Sequence, residues 1–258
     1  LSDTMDYIRK LINYMELHYM ENIMAKDLAD LRYSIQMRKE WMTAQVLFTG
    51  QLDVVEYLDG GLTAKTVRQA QFNFTNNYIP DKKWGEAGYS VYDTFRAMGD
   101  MVHEGNGTVS IAVFGPEVRS FIEKDPELLK MLDTRNAYFG RIEPGKTDLQ
   151  RGTEHIGTLP NGVELYCYMG QYRETLKGAA ANYIPKGKIL VGSPKLLRAM
   201  FGPVAQVEKE GELPKIYAKE EVPFRYSKTG GDSVMQRLTS RPAIIPYDVD
   251  AWAIGTVL

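Results

Sequence analysis

Apolar residues recur at steps of three and four along the first 49 positions. Met5, Ile8, Ile12, Met15 and Tyr19 form one set. Met24, Leu28, Leu31 and Ile35 form a second, continued by Met42 and Val46. This is the period of a helix. Neither Gly nor Pro interrupts the stretch, and the first proline is Pro80. Ser2 or Asp3 suits the N-cap, and Gly50 stands where a C′ glycine belongs. One unbroken helix here would run roughly 70 Å at 1.5 Å per residue. A compact chain of this size is only about 45–50 Å across. Either the helix breaks, near Glu21–Asp27, or the molecule is elongated. The reading adopted is a long helix over at least Lys26 to Phe48, with a second helical segment before it.

The pattern then changes. Gln51 to Tyr57 and Val67 to Phe74 read as strands about the turn Asp59-Gly60-Gly61, although Leu62 to Thr66 also intervene. Helix period returns from Ser90 to His103 through Val91, Phe95, Met98 and Val102, with Ser90 and Asp93 as a candidate capping box. Gly105-Asn106-Gly107 makes a turn, and Thr108 to Phe114 reads as a buried strand. Gly115-Pro116 opens a helix from Glu117 to Lys124, restarted by Pro126 to about Leu132. Gly140 to Gly162 is loose in texture. Val163 to Met169 and Lys188 to Val191 read as strands, and Pro194 to Met200 as a short helix. Gly202 to Gly231, with Pro203, Pro214 and Pro223 among charges, reads as a surface loop or arm. Pro242 to Ile245 and Ala251 to Leu258 close the chain as strands. Helix first, then strands and helices without regular βαβ alternation, predicts an α+β fold. A boundary is placed near Gly105, with the last strands free to pair with those between Gln51 and Phe74.

Composition narrows the function classes. Hydrophobic residues make up 44% of the 258 positions, enough for a buried core and too many for a disordered polyelectrolyte. The single cysteine, Cys167, excludes an internal disulfide. No apolar run approaches the ~20 residues that span a bilayer. The net charge of −2 argues against wrapping nucleic acid by phosphate neutralisation.

Candidate chemistry is sparse. Gly140-Arg141-Ile142-Glu143-Pro144-Gly145-Lys146-Thr147 satisfies the phosphate-loop string G-x-x-x-x-G-K-[ST]. Its context does not fit. No apolar strand precedes it and no amphipathic helix follows. Pro144 removes an N–H from the cradle, and Glu143 adds negative charge where phosphate would sit. His18, His103 and His155 are scattered, without metal-ligand spacing. Cys167 alternates with Tyr166 and Tyr168, which reads as a core or sheet-face thiol before it reads as half of a Cys–His pair. Glu220-Glu221 reads as a solvated pair. The helix face carrying Met and Ile residues is also a candidate protein–protein seam.

Five segments, in order, carry a resemblance. They are Ser34-Ile35-Gln36-Met37-Arg38-Lys39-Glu40 with Ala44-Gln45 and Thr49-Gly50; Lys83-Trp84 with Tyr92-Asp93; Val109 to Phe114 with Gly115-Pro116 and Leu132-Asp133-Thr134-Arg135; Tyr168-Met169-Gly170-Gln171-Tyr172 with Tyr183-Ile184-Pro185 and Ile189-Leu190-Val191-Gly192; and Ser240-Arg241-Pro242 with Asp248-Val249-Asp250. Together the sequence resembles the major capsid protein E family of tailed phages, that of the phage lambda head protein, with the Hong Kong 97-type capsid fold.

The resemblance implies a spine helix in a peripheral (P) domain over residues 1–105, an axial (A) domain over 106–238, and strands 239–258 returning to the P domain. It implies an N-terminal arm and E-loop before the spine helix, and this sequence is read as starting after them. Trp84, Asp133, Thr134, Arg135, Pro185, Gly192 and Pro242 are carried over as structural motif positions; no catalytic, cofactor or metal residue is assigned, and no cofactor is expected. The expected function is a non-enzymatic capsid subunit of a phage or prophage. It would assemble with itself into pentamers and hexamers around double-stranded DNA, held without sequence specificity. A decoration or scaffolding protein is a further expected partner and a membrane is not. The expected location is the virion capsid, reached through the host cytoplasm. The alternatives are a P-loop-like nucleotide-binding enzyme using Gly145, Lys146 and Thr147, and an encapsulin-like cellular compartment shell.

Overall fold

The computed structural model describes residues 2–58, 63–128, 152–173, 178–207, 212–227 and 234–258, without the side chains of residues 2–18 and 55–67. In chain order the elements are α1 (Ser2–Thr49), β1 (Gln51–Leu58), β2 (Thr63–Gln71), β3 (Asn77–Tyr78), α2 (Val91–Glu104), β4 (Ile111–Phe114) and α3 (Pro116–Lys124). Then come β5 (Thr153–Thr158), β6 (Glu164–Tyr168), β7 (Gln171–Tyr172), β8 (Ala181–Asn182), β9 (Lys188–Gly192), β10 (Leu197–Phe201), β11 (Val204–Gln206) and β12 (Lys215–Tyr217). The last are β13 (Val222–Ser227), β14 (Val234–Thr239), β15 (Pro242–Pro246), a 3₁₀ turn (Val249–Ala251) and β16 (Trp252–Thr256). The chain divides into two compact units, Leu1–Lys39 with Ala199–Ala243 and Glu40–Arg198 with Ile244–Leu258.

α1 is one helix of 48 residues, so the expected break near Glu21–Asp27 does not occur. The physical reason is local. Glu21, Met24, Ala25 and Lys26 are good helix formers that outweigh the weaker Asn22 and Asp27, and no Pro or Gly in the stretch removes a donor or loosens the backbone. The helix ends as its sequence demands. Gly50 takes φ +67°, and its N–H donates to the Val46 carbonyl at 2.9 Å. A Cβ here would come within 2.5 Å of the Phe74 Cβ, so both dihedral and space require glycine.

The larger unit is built on a six-stranded sheet in the order β3-β16-β9-β4-β6-β5. β16 runs antiparallel to β9 and parallel to β3, β4 runs antiparallel to β9 and parallel to β6, and β5 returns antiparallel to β6. Residues alternate between its faces. Ala112, Phe114, Leu165, Cys167, Ile189, Val191 and Ala253 join a core with Val91, Phe95, Met98 and Val102 of α2 and Val118 and Ile122 of α3. Leu190, Trp252 and Ile254, on the other face, pack with Phe48 from the end of α1. Both faces of the central strands are therefore covered, and those strands read as near-continuous apolar runs.

α2 starts as expected: the Ser90 side chain accepts from the Asp93 N–H at 3.2 Å. β1 and β2 form an antiparallel hairpin from Gln51↔Gln71 to Leu58↔Thr63, with a register shift between Val54 and Val55. The strand thus resumes at Thr63, inside the segment expected to be a connection. The C-terminal strand does not join this hairpin; β16 pairs with β9 and β3. β5 was not expected. It lies in the loose Gly- and Thr-containing stretch, where pairing with β6 supplies what propensity does not.

In the smaller unit, the expected loop or arm after Gly202 contains two antiparallel hairpins. β11 pairs with β12, and β13 with β14, from Val222↔Thr239 to Ser227↔Val234. These strands are short, and their pairing with one another supplies the strand character that no single segment shows. The expected short helix from Pro194 to Met200 is likewise replaced by β10. Glu220 and Glu221 are not simply solvated. Arg32 donates to Glu221 at 3.0 Å, Lys39 pairs with Glu220, and the Lys39 ammonium lies 5.4 Å from the Phe201 ring centre.

Candidate functional site

The C-terminal turns of α1 leave carbonyls that the helix cannot satisfy. Two side chains from the sheet supply donors. The Trp252 indole N–H donates to the Leu47 carbonyl at 3.1 Å, and the Lys188 ammonium to the Phe48 carbonyl at 3.3 Å. A cation at this end also suits the helix dipole. Phe74 stacks on Trp252 with ring centres 4.9 Å apart and planes at 9°. These contacts fix the end of α1 against the sheet.

One turn back along α1, the stripe Glu40, Thr43, Ala44, Leu47 faces Val113, Tyr168 and Leu190 of the sheet, with Tyr183 and Ile184 closing one side. The gap left between them is a half-open cleft of about 190 Å³. Ala44 is the small residue that leaves the space. The walls are mostly apolar; Glu40 and Thr43 are polar members of the lining, and the Glu40 carboxylate accepts a bond from the Tyr168 hydroxyl at 3.3 Å. Tyr183 stacks at a tilt on Tyr168 and on Tyr172, at 6.0 and 5.2 Å between centres, and Trp41 meets Tyr172 edge-on at 6.5 Å. Sequence reading quoted Glu40, Tyr168 and Tyr183 but did not bring them together. The helix stripe at steps of three and four was the available signal; the strand order that supplies the other wall was not.

The motif positions lie apart from one another. Trp84 is 3% exposed; its indole N–H donates to Thr94 Oγ1 at 3.1 Å and its ring meets Phe95 edge-on at 5.9 Å. Gly192 ends β9, where a Cβ would come within 3.0 Å of the Trp252 Cβ. Pro185 is exposed, its carbonyl accepting from the Lys188 N–H at 3.1 Å, and Pro242 opens β15 half-buried. Asp133, Thr134 and Arg135, like the phosphate-loop string from Gly140 to Thr147, lie outside the described residues.

Cys167 is fully buried on the face of β6 opposite Tyr166 and Tyr168. Burial pushes its thiol up, against a smaller opposing pull from Arg119. Its register partner on β5 is Glu154, while His155 faces Tyr166 at 5.1 Å between ring centres. His103 Nδ1 lies 3.1 Å from the Gly107 carbonyl. Neither imidazole is placed to form a catalytic pair with the thiol. The His18 side chain lies outside the description. Among the described residues no cluster of His, Cys, Asp and Glu could hold a metal, and no helix is long and apolar enough to cross a membrane.

One buried carboxylate was missed. Asp125 is 1% exposed. Its Oδ2 accepts from the Val91 N–H at 2.9 Å, and its Oδ1 from the N–H groups of Glu127 and Leu128 at 2.8 and 3.1 Å. It therefore serves the starts of two helical segments: its bonds to Glu127 and Leu128 are the local N-cap pattern of an Asp before Pro126, and only the bond to Val91 depends on packing.

Comparisons with known proteins agree with this architecture. A model of the family described as phage major capsid protein E matches residues 8–257. A solved structure from Escherichia coli CFT073, assigned as the capsid protein of a prophage, shares 16% identity at a TM-score of 0.68, covering 90% of this chain and 66% of that one. A phage-related protein from Bordetella bronchiseptica RB50 shares 8% identity at a TM-score of 0.52, again covering 90% and 66%. A search of curated proteins found no match. At these identities the two structures speak to the fold, and this chain spans 66% of the length of each. With the family match running over almost its whole length, the chain belongs to the phage major capsid protein E family.

Proposed function

We propose that this chain is the structural subunit of an icosahedral phage or prophage capsid, working by repeated contact with copies of itself and without catalytic turnover. The observation that carries the reading is the family match over residues 8–257. Symmetry lets modest interfaces close a container, because each subunit makes several. Residues 1–105 with the returning 239–258 take the peripheral position in the shell, and 106–238 the axial position near the fivefold and sixfold axes. These are positions in a lattice and differ from the compact units, which divide the chain at 39/40, 198/199 and 243/244. The shell encloses double-stranded DNA without gripping it, in keeping with the net charge of −2. A decoration or scaffolding protein assists, and assembly takes place in the host cytoplasm before the subunit resides in the virion.

Imaging the purified full-length protein by electron microscopy tests this. Closed shells with pentameric and hexameric clusters are expected. Monodisperse monomers under every assembly condition would remove the proposal.

A further inference from the structure

The cleft between α1 and the sheet has two properties that together select an occupant. Its walls, from Ala44, Leu47, Val113 and Leu190, are apolar, so an extended stem gains by entering. Glu40 also lines it, and the one described contact of its carboxylate is the long bond from Tyr168. A purely apolar occupant would desolvate that carboxylate without a partner, and an acidic one would be repelled. A side chain with an aliphatic stem and a cationic head satisfies both, and a guanidinium also stacks on the faces of Tyr168 and Tyr183. A cavity of ~150 Å³ accepts a benzene-sized group, so this cleft of about 190 Å³ suits one long side chain.

The chain itself presents the complement. On the β1–β2 hairpin, Arg68 stands directly opposite Val54 in register, so the two share a face. Arg68 is exposed and Val54 is 49% exposed. Among the described residues Arg68 has no hydrogen-bond or ion-pair partner, and the hairpin pairs with no further strand. A cation beside an exposed valine matches a carboxylate in the lining of a mostly apolar cleft.

We propose that this cleft receives the Arg68 side chain of a second copy of the chain, the hairpin of one subunit docking on the α1–sheet junction of the next. This rests on the shell reading and names one of its contacts.

The test uses the full-length protein, with assembly followed by light scattering and checked by electron microscopy. E40K and R68E are made separately. Each is expected to raise the concentration needed for assembly by roughly tenfold or more, since each places like charges at a desolvated contact. An equal mixture of the two is expected to regain much of the loss, because the E40K chain keeps Arg68 for the Glu40 that the R68E chain keeps. A44F, which fills the cleft without changing charge, is expected to impair assembly as the singles do. Thermal melts confirm that each variant folds, and R68E, on an exposed hairpin, stands as evidence even if a cleft variant does not.

Single variants that assemble like the wild type overturn the inference while leaving the shell reading intact. So does a mixture no better than its components, which would place the pairing elsewhere or within one chain. Wild-type protein that never assembles removes the shell reading and this contact with it.

Discussion

Replacing Asp125 tests the packing logic of the larger unit most directly. Its carboxylate accepts three backbone N–H bonds at 2.8–3.1 Å while 1% exposed. Asp125→Ala leaves those three donors facing a space with no acceptor. A hydrogen bond to a charged group contributes roughly 1.5–3 kcal/mol, but removing the carboxylate also relieves its own desolvation, so the three do not sum. The expected loss is about 3–4 kcal/mol. Asp125→Asn keeps the shape but offers one acceptor oxygen and turns an NH₂ toward a donor, with an expected loss of about 2 kcal/mol. Urea unfolding followed by tryptophan fluorescence reads this out, because Trp84 bonds to Thr94 on the same helix. With a slope of ~2 kcal/mol per molar urea, Asp125→Ala should lower the midpoint by roughly 1.5–2 M. A loss below about 1 kcal/mol, or an Asp125→Asn variant as stable as wild type, would show that the carboxylate is not what starts these helices.

Gly50→Ala should cost about 2 kcal/mol or more in a thermal or urea melt, since it combines φ +67° with a 2.5 Å approach to Phe74; a neutral result would contradict the geometry. Tyr166 should ionise late. Its hydrogen bond to Glu164 at 2.6 Å, then burial, then the neighbouring negative charge push it up to about 12. Because the folded value lies above that of a free tyrosine, the stability this contact adds is present below pH ~10 and fades as pH rises through the folded value. Ultraviolet titration of wild type against Tyr166→Phe should remove a late-titrating phenol, and loss of a phenol titrating at its ordinary value would refute the assignment. Cys167 should resist thiol reagents at pH 8 in the native protein and react at once in denaturant, being buried with its thiol pushed up. Fast native labelling would mean that the β6 face opens.

How much could be read without coordinates depended on the range of the forces involved. The helix at the start, its glycine stop and the Ser90 cap of α2 were legible because each is decided within a few residues by period, dihedral preference and a reachable donor. The apolar runs of β4, β6, β9 and β16 were legible because strands covered on both faces must be hydrophobic throughout. The family was legible because ordered motifs accumulate along the chain even when each is weak.

Length misled where sequence argument turned global: compactness favoured a broken α1, while nothing local breaks it. β5, β10 and the hairpins from β11 to β14 were hidden because their strand character comes from partners, some of them many residues away. The same holds for the bond from Val91 to Asp125, for Glu220 and Glu221, and for the cleft lined by Glu40, Ala44 and Tyr168. A helix stripe states that one face seeks cover, but not which strand covers it or what gap remains. The sequence by itself determined the elements whose causes lie within a turn or a strand, together with the family. The tertiary structure alone decided strand order, the capping of buried helix ends and the shape of the cleft, because those depend on side chains that only folding brings within bonding distance.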